Sequence, residues 1–409
     1  MRATTSRMAW RNLWRNRRRT ALALVAIGLS TALVLVFNGV LHAYSDWMVS
    51  TITGPMLGDV QIHAAGWRKD RAIDRTLPDA TAALARLRSD PGVASASARV
   101  YGPVLVALGE EGFAAVVIGL EPQRESGSMG LLASARTTPN GRNISIGRKL
   151  ASSMGVHVGD ELALVGQAID GTLANDLYRV TELVDTQVDL VNRQGIVMDL
   201  REAQRLLGMG DEVHEIVIHA RDPATSAELA RHLAASPALR GAEVRDWRAL
   251  APDLVAMIQL IDVSWIVVLG FVFVAAAAGV ANTMLISTFE RTRELGMVLA
   301  LGARPKRIVA MVVLEALALG LVGAAVGVGL GGALVALTHR YGLDLAQLTG
   351  GGPTQLSFAG MSWSLTLYPT LDLVDVTRVV IAVVATSLVA SAWPAIRAAR
   401  LQPVQALRV

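Results

Sequence analysis

Apolar positions along the chain gather into four long runs joined by very unequal connections. Residues 20–41 and 263–289 carry no charge, 308–338 carry only Glu315, and 379–395, the shortest, ends at Trp393-Pro394. A helix rises about 1.5 Å per residue, so about 20 such residues cross the hydrocarbon core of a bilayer. Four transmembrane helices are therefore predicted, one early and three late. The first run is too long for a cleaved leader, and no A-x-A-like cleavage site follows it before Asp46. Between the first two runs the pattern changes. Alternating positions predict strands at 59–64, 114–120, 178–184, 195–199, 213–219 and 242–244, with a longer apolar run at 93–108. Helical spacing predicts helices at 79–88, 201–207 and 224–233, while 125–130 and 136–143 read as loops. The expected fold is an α-helical membrane protein with four transmembrane helices and an α+β extracytoplasmic domain inserted between helices 1 and 2. Its segments are an amphipathic helix at 1–19, helix 1 at 20–43, the domain at 44–254, and helix 2 with an outer extension at 255–289. A connection at 290–307, helix 3 at 308–338, a loop at 339–378, helix 4 at 379–395 and a tail at 396–409 complete it.

Charge orients this plan. The segments before helix 1, between helices 2 and 3, and after helix 4 hold 15 basic residues against two acidic ones, Glu290 and Glu294. The inserted domain holds 21 basic and 27 acidic residues. Basic segments stay on the cytoplasmic side, so both termini are expected there, with the domain outside. The isoelectric point near 9.7 is then a topology signal, and the arginine cluster ahead of helix 1 suits anionic lipid, not nucleic acid. With 52% hydrophobic and 18% charged residues, the 409-residue chain is too apolar for an ordinary soluble enzyme and too charged to be all membrane.

Catalytic chemistry is scarce. No cysteine is present, and neither a G-x-S-x-G nor an H-E-x-x-H occurs. His214 and His219 lie on opposite faces of a predicted strand and cannot share a metal, so no metal site is expected. Asp211, Glu212 and Glu215 read as a solvated turn. Arg142, Arg148 and Lys149 faintly suggest phosphate binding, but no Walker loop exists in the chain. No catalytic residue and no bound cofactor are expected, and any ATPase must be another polypeptide.

The connection after helix 2 is the most informative segment. Directly after its charges, Leu295, Met297, Val298, Leu299 and Leu301 form an apolar stretch that would not be left in water. It is predicted to be a short helix at the membrane surface or in a partner's groove, stopped by Gly302, with Pro305 starting the next helix. Within helix 3, Gly323, Gly327 and Gly331 recur every four residues and provide a flat face for helix packing, inside the bundle in preference to between subunits. Glu315 is read as structural, pairing with an N-terminal arginine or capping, in preference to proton coupling. Phe37, Val40, Leu41, Tyr44 and Met48 share one face at the outer end of helix 1, as Met257, Ile258, Ile261 and Trp265 do on helix 2.

The run GVANTMLISTFERTRELGMVLALGARPKRI resembles the signature of the FtsX-like (MacB-like) permease family of ABC transporters. The terminal WPAIRAARLQPVQALRV and AWRNLWRNRRRTALALVAIGLSTALV are similar to the family's tail and first span. ISIGRKLASSMGVHVGDELAL and GIVMDLREAQRLLG look like pieces of its extracytoplasmic domain, and GDVQIHAAGWR is closest to the LolC/LolE lipoprotein-releasing branch. The resemblance implies that 290–303 is a coupling helix docking on a cytoplasmic ABC ATPase dimer, which carries the ATP and Mg. Glu290, Arg293 and Glu294 would make its polar contacts, Leu295, Val298 and Leu299 its apolar face, and Gly296 and Gly302 a close approach or turn. It implies two permease copies or a related second permease, a lipid-lined substrate cavity at Phe37, Val40, Tyr44, Met48, Met257, Ile258, Ile261 and Trp265, and a periplasmic carrier or adaptor. The function implied is mechanotransmission from ATP hydrolysis to extraction or export of an amphipathic substrate, lipoprotein first. The alternatives are regulation of a cell-wall hydrolase without transport, peptide or drug efflux with an adaptor, and a membrane-anchored sensor without energy input.

Overall fold

The computed structural model describes residues 17–109, 111–125, 131–133, 135–186, 188–344, 356–358, 361–363 and 366–400. The helix expected at 1–19 lies outside these apart from its last three residues. So do most of the loop at 125–130, part of the 339–378 connection and the end of the tail. The chain forms two compact units, one holding the long helices and one built on Trp47–Ala256.

Helix α1 (Arg17–Ile52) has 36 residues and is about 54 Å long, well beyond one hydrocarbon core. A π-helical turn, Thr53–Leu57, follows it. Gly58 then turns the chain at φ 62°, where a Cβ would lie 2.6 Å from Val217 Cγ1 and 2.7 Å from the Ile218 carbonyl oxygen. Only glycine fits that bend.

The inserted domain contains β1 (Val60–Ala64), α2 (Ala80–Ser89), β2 (Val93–Leu108), β3 (Glu111–Leu120), β4 (Asn143–Gly147) and β5 (Glu161–Gln167). It continues with β6 (Leu173–Val184), β7 (Gly195–Asp199), α3 (Leu200–Leu206), β8 (Glu215–Ala220), α4 (Ser226–Ala234) and β9 (Ala242–Asp246). Strand β2 organises all of it. Its first half pairs with β8, from Val93 against Ala220 to Arg99 against Glu215. Its second half pairs with β5 on one side and β3 on the other. The strands β2-β3-β7-β4-β6-β5 thereby close into a ring, which leaves no open edge. The other lobe is a β-α-β-β-α-β unit with spatial order β9-β1-β8-β2, covered by α2 and α4, and the ring is spliced between its second and third strands. Val60, Ile62, Leu84, Leu87, Ile218 and Leu229 belong to the same buried cluster as Val106, Ile146, Leu164 and Ile196 of the ring.

Three expected features change in this domain. The apolar run at 93–108 is one 16-residue strand shared by two lobes. Glu215 is buried beside Arg99, not solvated in a turn, whereas Asp211 accepts from the Thr81 amide and hydroxyl at the start of α2. Arg142 and Arg148 each face a carboxylate, Asp176 at 3.1 Å and Asp185 at 3.5 Å, and Lys149 bonds Asp189, which accounts for those cations without phosphate.

His214 accepts from the Tyr101 amide through Nδ1 (3.0 Å), its Nε2 lies 2.9 Å from the Ile73 oxygen, and its ring stacks on buried Trp67. Burial holds His63, His214 and His219 below the usual imidazole value, against opposing pulls from Glu243 and Glu215 at His63 and from Asp59 at His219. The folded domain therefore keeps these rings neutral where the unfolded chain, with ordinary imidazoles near ~6.5, takes up protons. Stability is full above that value and falls as pH drops below it. Asp59, raised by burial, works in the opposite sense at the acid end. Urea midpoints followed by tryptophan fluorescence are expected to be lower at pH 5.5 than at pH 7.5, by about 1–2 kcal/mol in stability; equal midpoints would contradict neutral, buried rings.

Helix α5 (Pro252–Glu290) has 39 residues, α6 (Thr292–Ala300) nine, α7 (Pro305–Tyr341) 37 and α8 (Leu373–Ala399) 27. With α1, the three longest of these are long and apolar enough to cross a membrane. Ile27, Val34 and Leu35 of α1 form one core with Val280 and Met284 of α5, Ala316 and Leu319 of α7, and Val379 and Val383 of α8. The glycine face of α7 meets α1: Cβ atoms at Gly323 and Gly327 would lie 2.6 Å from Ile27 Cγ2 and 2.4 Å from Thr31 Cβ. Gly331 belongs to the same contact, against Ala32 and Leu35.

Candidate functional site

The site is the short helix α6 and the braces around it. Helix α5 ends at Glu290, Arg291 breaks the path, and α6 begins at Thr292. Gly302 ends it in the left-handed region at φ 85°, its amide donating to the Leu299 oxygen, and Pro305 opens α7 as its first residue.

Orientation of this helix differs from the expected docking face in part. Leu295 points inward and forms a buried cluster with Ile308 and Val312 of α7 and Ala395 and Ala398 of α8, with Leu299 packed at its edge. Gly296 is also buried. Of the three apolar residues expected on one outward face, only Val298 lies there. Met297 and Leu301 join it, Leu301 at 88% exposure, flanked by exposed Arg293 and Arg304. Among the described residues nothing buries this apolar surface between Arg293 and Arg304, and exposed Glu290 borders it in sequence. The spacing of nine residues allowed either side to be inner, and the contacts of Leu295 with α7 and α8 decide it.

Two guanidinium groups brace the break. Arg291 Nη1 donates to Glu315 Oε2 of α7 at 3.1 Å, and its Nε donates to Glu294 Oε2 at 3.2 Å. Arg397 of α8 lies over the Phe289 ring of α5 at 5.0 Å and over Trp393 at 5.4 Å. Glu315 thus has a structural partner from the connection itself; the N-terminal arginines expected to serve it lie almost wholly outside the described residues. Arg291 and Arg397 were not singled out in the sequence, where they look like ordinary members of the basic segments that flank the apolar runs.

At the opposite ends of α1 and α5, the rings of Phe37 and Trp265 stack with centroids 6.3 Å apart. Val40, Tyr44, Met257, Ile258 and Ile261 are half-buried and Met48 is buried, each on its own helix. A void lined by Ile27, Thr31, Val34, Val272, Phe273 and Val379 holds about 10 Å³, too little for an acyl chain. Asp375 of α8, also unforeseen, is buried with His42 Nδ1 at 3.6 Å and Arg378 Nη1 at 3.3 Å. Among the described residues no group of His, Asp and Glu is arranged to hold a metal ion.

Four membrane-length helices, a β-rich domain set between the first and second, and a braced surface helix between the second and third define a multi-pass membrane protein with an inserted domain. Profiles described as FtsX-like permease C-terminal and MacB-like periplasmic core domain match residues 266–403 and 20–236. The chain belongs to this FtsX/MacB family of ABC transporter permeases, which are non-catalytic transmembrane subunits. It is similar to the lipoprotein-releasing system transmembrane protein LolC of Xylella fastidiosa, 23% identical over 350 residues and 80% of each chain. It is also similar to the macrolide export ATP-binding/permease protein MacB of Brucella abortus, 43% identical over 81 residues, 20% of this chain and 12% of that one. The solved periplasmic region of MacB from Actinobacillus actinomycetemcomitans aligns with a TM-score of 0.35 at 10% identity, covering 51% of this chain and 97% of that one.

Proposed function

We propose that this chain is a permease driven by a separate ABC ATPase dimer that binds ATP and Mg and docks on the outward face of α6. The permease works as two copies, or with a related second permease, and extracts or exports an amphipathic substrate, a lipoprotein in first place. The observation that carries this reading is the face of Met297, Val298 and Leu301 between Arg293 and Arg304, left exposed among the described residues on a helix braced to α7 and α8. The arginine bias of the connections supports cytoplasmic termini and a periplasmic inserted domain. Similarity to LolC over 80% of the chain supports the lipoprotein, and the MacB-like match over residues 20–236 supports efflux with a periplasmic adaptor as the second reading.

Full burial of a Leu or Met side chain is worth roughly 1.5–3 kcal/mol, and an aspartate placed there adds an unpaired charge. The double substitution Met297→Asp/Leu301→Asp is therefore expected to weaken ATPase association by about 100-fold or more. The permease itself should keep its thermal stability, since both side chains are exposed. The check is ATP turnover and co-purification of the ATPase with membranes carrying either form. Unchanged turnover and recovery would remove the docking claim.

A further inference from the structure

We infer that Arg291 and Glu315 form the positioning joint that makes α6 move as one body with the helices beside it, so that a stroke delivered to α6 is transmitted and not absorbed at the break after α5. This rests on the reading of α6 as the ATPase-docking helix.

A short helix between two long ones can respond to a push in two ways. It can swing alone about its ends, or it can carry its neighbours with it. The break at Arg291 is the natural place to swing, because α5 ends just before it and its own backbone is not helical. Yet the residue at the break is the one tied down. Arg291 reaches 24 residues along the chain to Glu315, whose side chain is 8% exposed, and the Arg291 side chain is 14% exposed. A second bond runs to Glu294, one turn into α6. One cation therefore links the break, the first turn of α6 and the body of α7. In surroundings where water is scarce, separating such a pair is far costlier than at a surface.

The hydrophobic contacts alone would not do this. Leu295 against Ile308, Val312, Ala395 and Ala398 fixes which side of α6 is inward, but apolar contacts slide. A charge-assisted hydrogen bond fixes both distance and direction. Arg397 stacked on Phe289, two residues before the break, ties that end of α5 to α8 by a cation–π contact. Bracing on both sides of an interruption stiffens it.

No cysteine occurs in the chain, so single cysteines report without background. The experiment places one at Leu301 on α6 and, separately, one at Val158 on the inserted domain, both exposed. Maleimide labelling is then followed in the permease purified with its own ATPase, with and without Mg-ATP and vanadate. In the unaltered chain the ATPase protects Leu301→Cys, and nucleotide changes the labelling rate at Val158→Cys. With Glu315→Gln, protection at Leu301→Cys is expected to stay within about twofold, while the nucleotide response at Val158→Cys falls about tenfold, the equivalent of one charge-assisted hydrogen bond. Arg291→Lys, which keeps the charge, should retain part of the response. The exchange Arg291→Glu/Glu315→Arg should restore it beyond either single change. A full response in Glu315→Gln overturns the joint. So does loss of Leu301→Cys protection in Glu315→Gln, because the pair would then only fold α6. Absence of protection in the unaltered chain removes the docking reading itself, a result that no pair variant is needed to see.

Discussion

Replacing Arg99 with methionine is expected to destabilise the inserted domain by about 3–5 kcal/mol, the largest loss of any single change in it. The guanidinium is almost completely buried, at 1% exposure, and every bond it makes has structural meaning. Its Nε and Nη2 donate to the two Glu125 oxygens at 2.9 Å each, a bidentate pair. Nη1 and Nη2 donate to the carbonyl oxygens of Met56 and Pro55 at 2.9 and 3.0 Å, in the π-helical turn that follows α1. Glu215 of β8 stands 3.9 Å away and accepts from the Tyr101 hydroxyl. Glu125 also accepts from Ser97 and from the Leu131 amide. One side chain of β2 therefore fastens the turn after α1 and the segment after β3. Methionine fills a similar volume, so the loss comes from two carboxylates left without their cation and two carbonyls that each lose a donor, with little from a cavity.

The pH dependence separates this account from simple loss of packing. Glu125 is buried, which alone would raise its pKa, but Arg99 and the hydrogen bonds hold it below the usual carboxylate range. In the native protein that contribution is present above the unfolded carboxylate value, near ~4.3, and is lost as pH falls through the lower folded value. Without Arg99 the desolvation, the largest influence on Glu125, is opposed only by the bonds from Ser97 and the Leu131 amide, so Glu125 is expected to rise above the unfolded value and proton uptake then favours the folded state. The deficit of Arg99→Met relative to the native protein should therefore be largest near pH 8 and shrink toward pH 5. Chemical denaturation of both forms across that range is the measurement. A deficit that did not vary with pH would mean that the carboxylates are not what the arginine serves. The double change Arg99→Met/Glu125→Leu should recover part of the stability, since it removes one of the stranded charges together with its partner.

Local patterns made the helices legible and left the Arg99 centre invisible. The uncharged runs at 20–41 and 263–289 could have only one solution in a bilayer, and Gly302 and Pro305 set the end of α6 and the start of α7. Strand β7 at Gly195–Asp199 was equally plain, an apolar run between turn-like neighbours. Strands β4 and β5 were missed because each owes its state to partners far along the chain, β4 to β6 and β7, β5 to β2 and β6. The same holds for the ring: nothing within 93–108 says that one strand serves two sheets. Arg99 reads as one arginine in 35, and only the convergence of residues 55, 56, 125 and 215 on it reveals its use. The face of α6 was half legible for a related reason. Periodicity says that a helix has an apolar side, but when six of the seven residues 295–301 are apolar it does not say which of them meet the bundle.

Gly327→Leu is expected to separate α1 from α7 and to abolish the folded bundle, with Gly327→Ala costing about 1–3 kcal/mol by the same route. Even one methyl group at Gly327 would stand 2.4 Å from Thr31 Cβ and 2.6 Å from the Gly28 carbonyl oxygen. The second of these is backbone, so no rotamer change relieves it. A Cβ at the neighbouring Gly323 would stand 2.6 Å from Ile27 Cγ2 and one at Gly331 3.1 Å from Ala32 Cα, so the space for an added methyl is smallest at Gly327 and Gly323. Thr31 is held there by its own bond to the Ile27 oxygen at 2.7 Å, which stops it from turning away. Gly329 supplies the control. It lies two residues from Gly327 on the same helix, and nothing stands within 4 Å of where its Cβ would be. Gly329→Ala should be neutral or mildly stabilising, because alanine favours a helix over glycine by up to ~1 kcal/mol. Thermal unfolding of the two alanine variants in the same detergent makes the comparison. If both shift alike, the glycines are only a compositional habit of an apolar helix. If Gly327→Ala falls and Gly329→Ala does not, close approach of two backbones is what holds α1 and α7 together, because lipid supplies no hydrophobic force to do it.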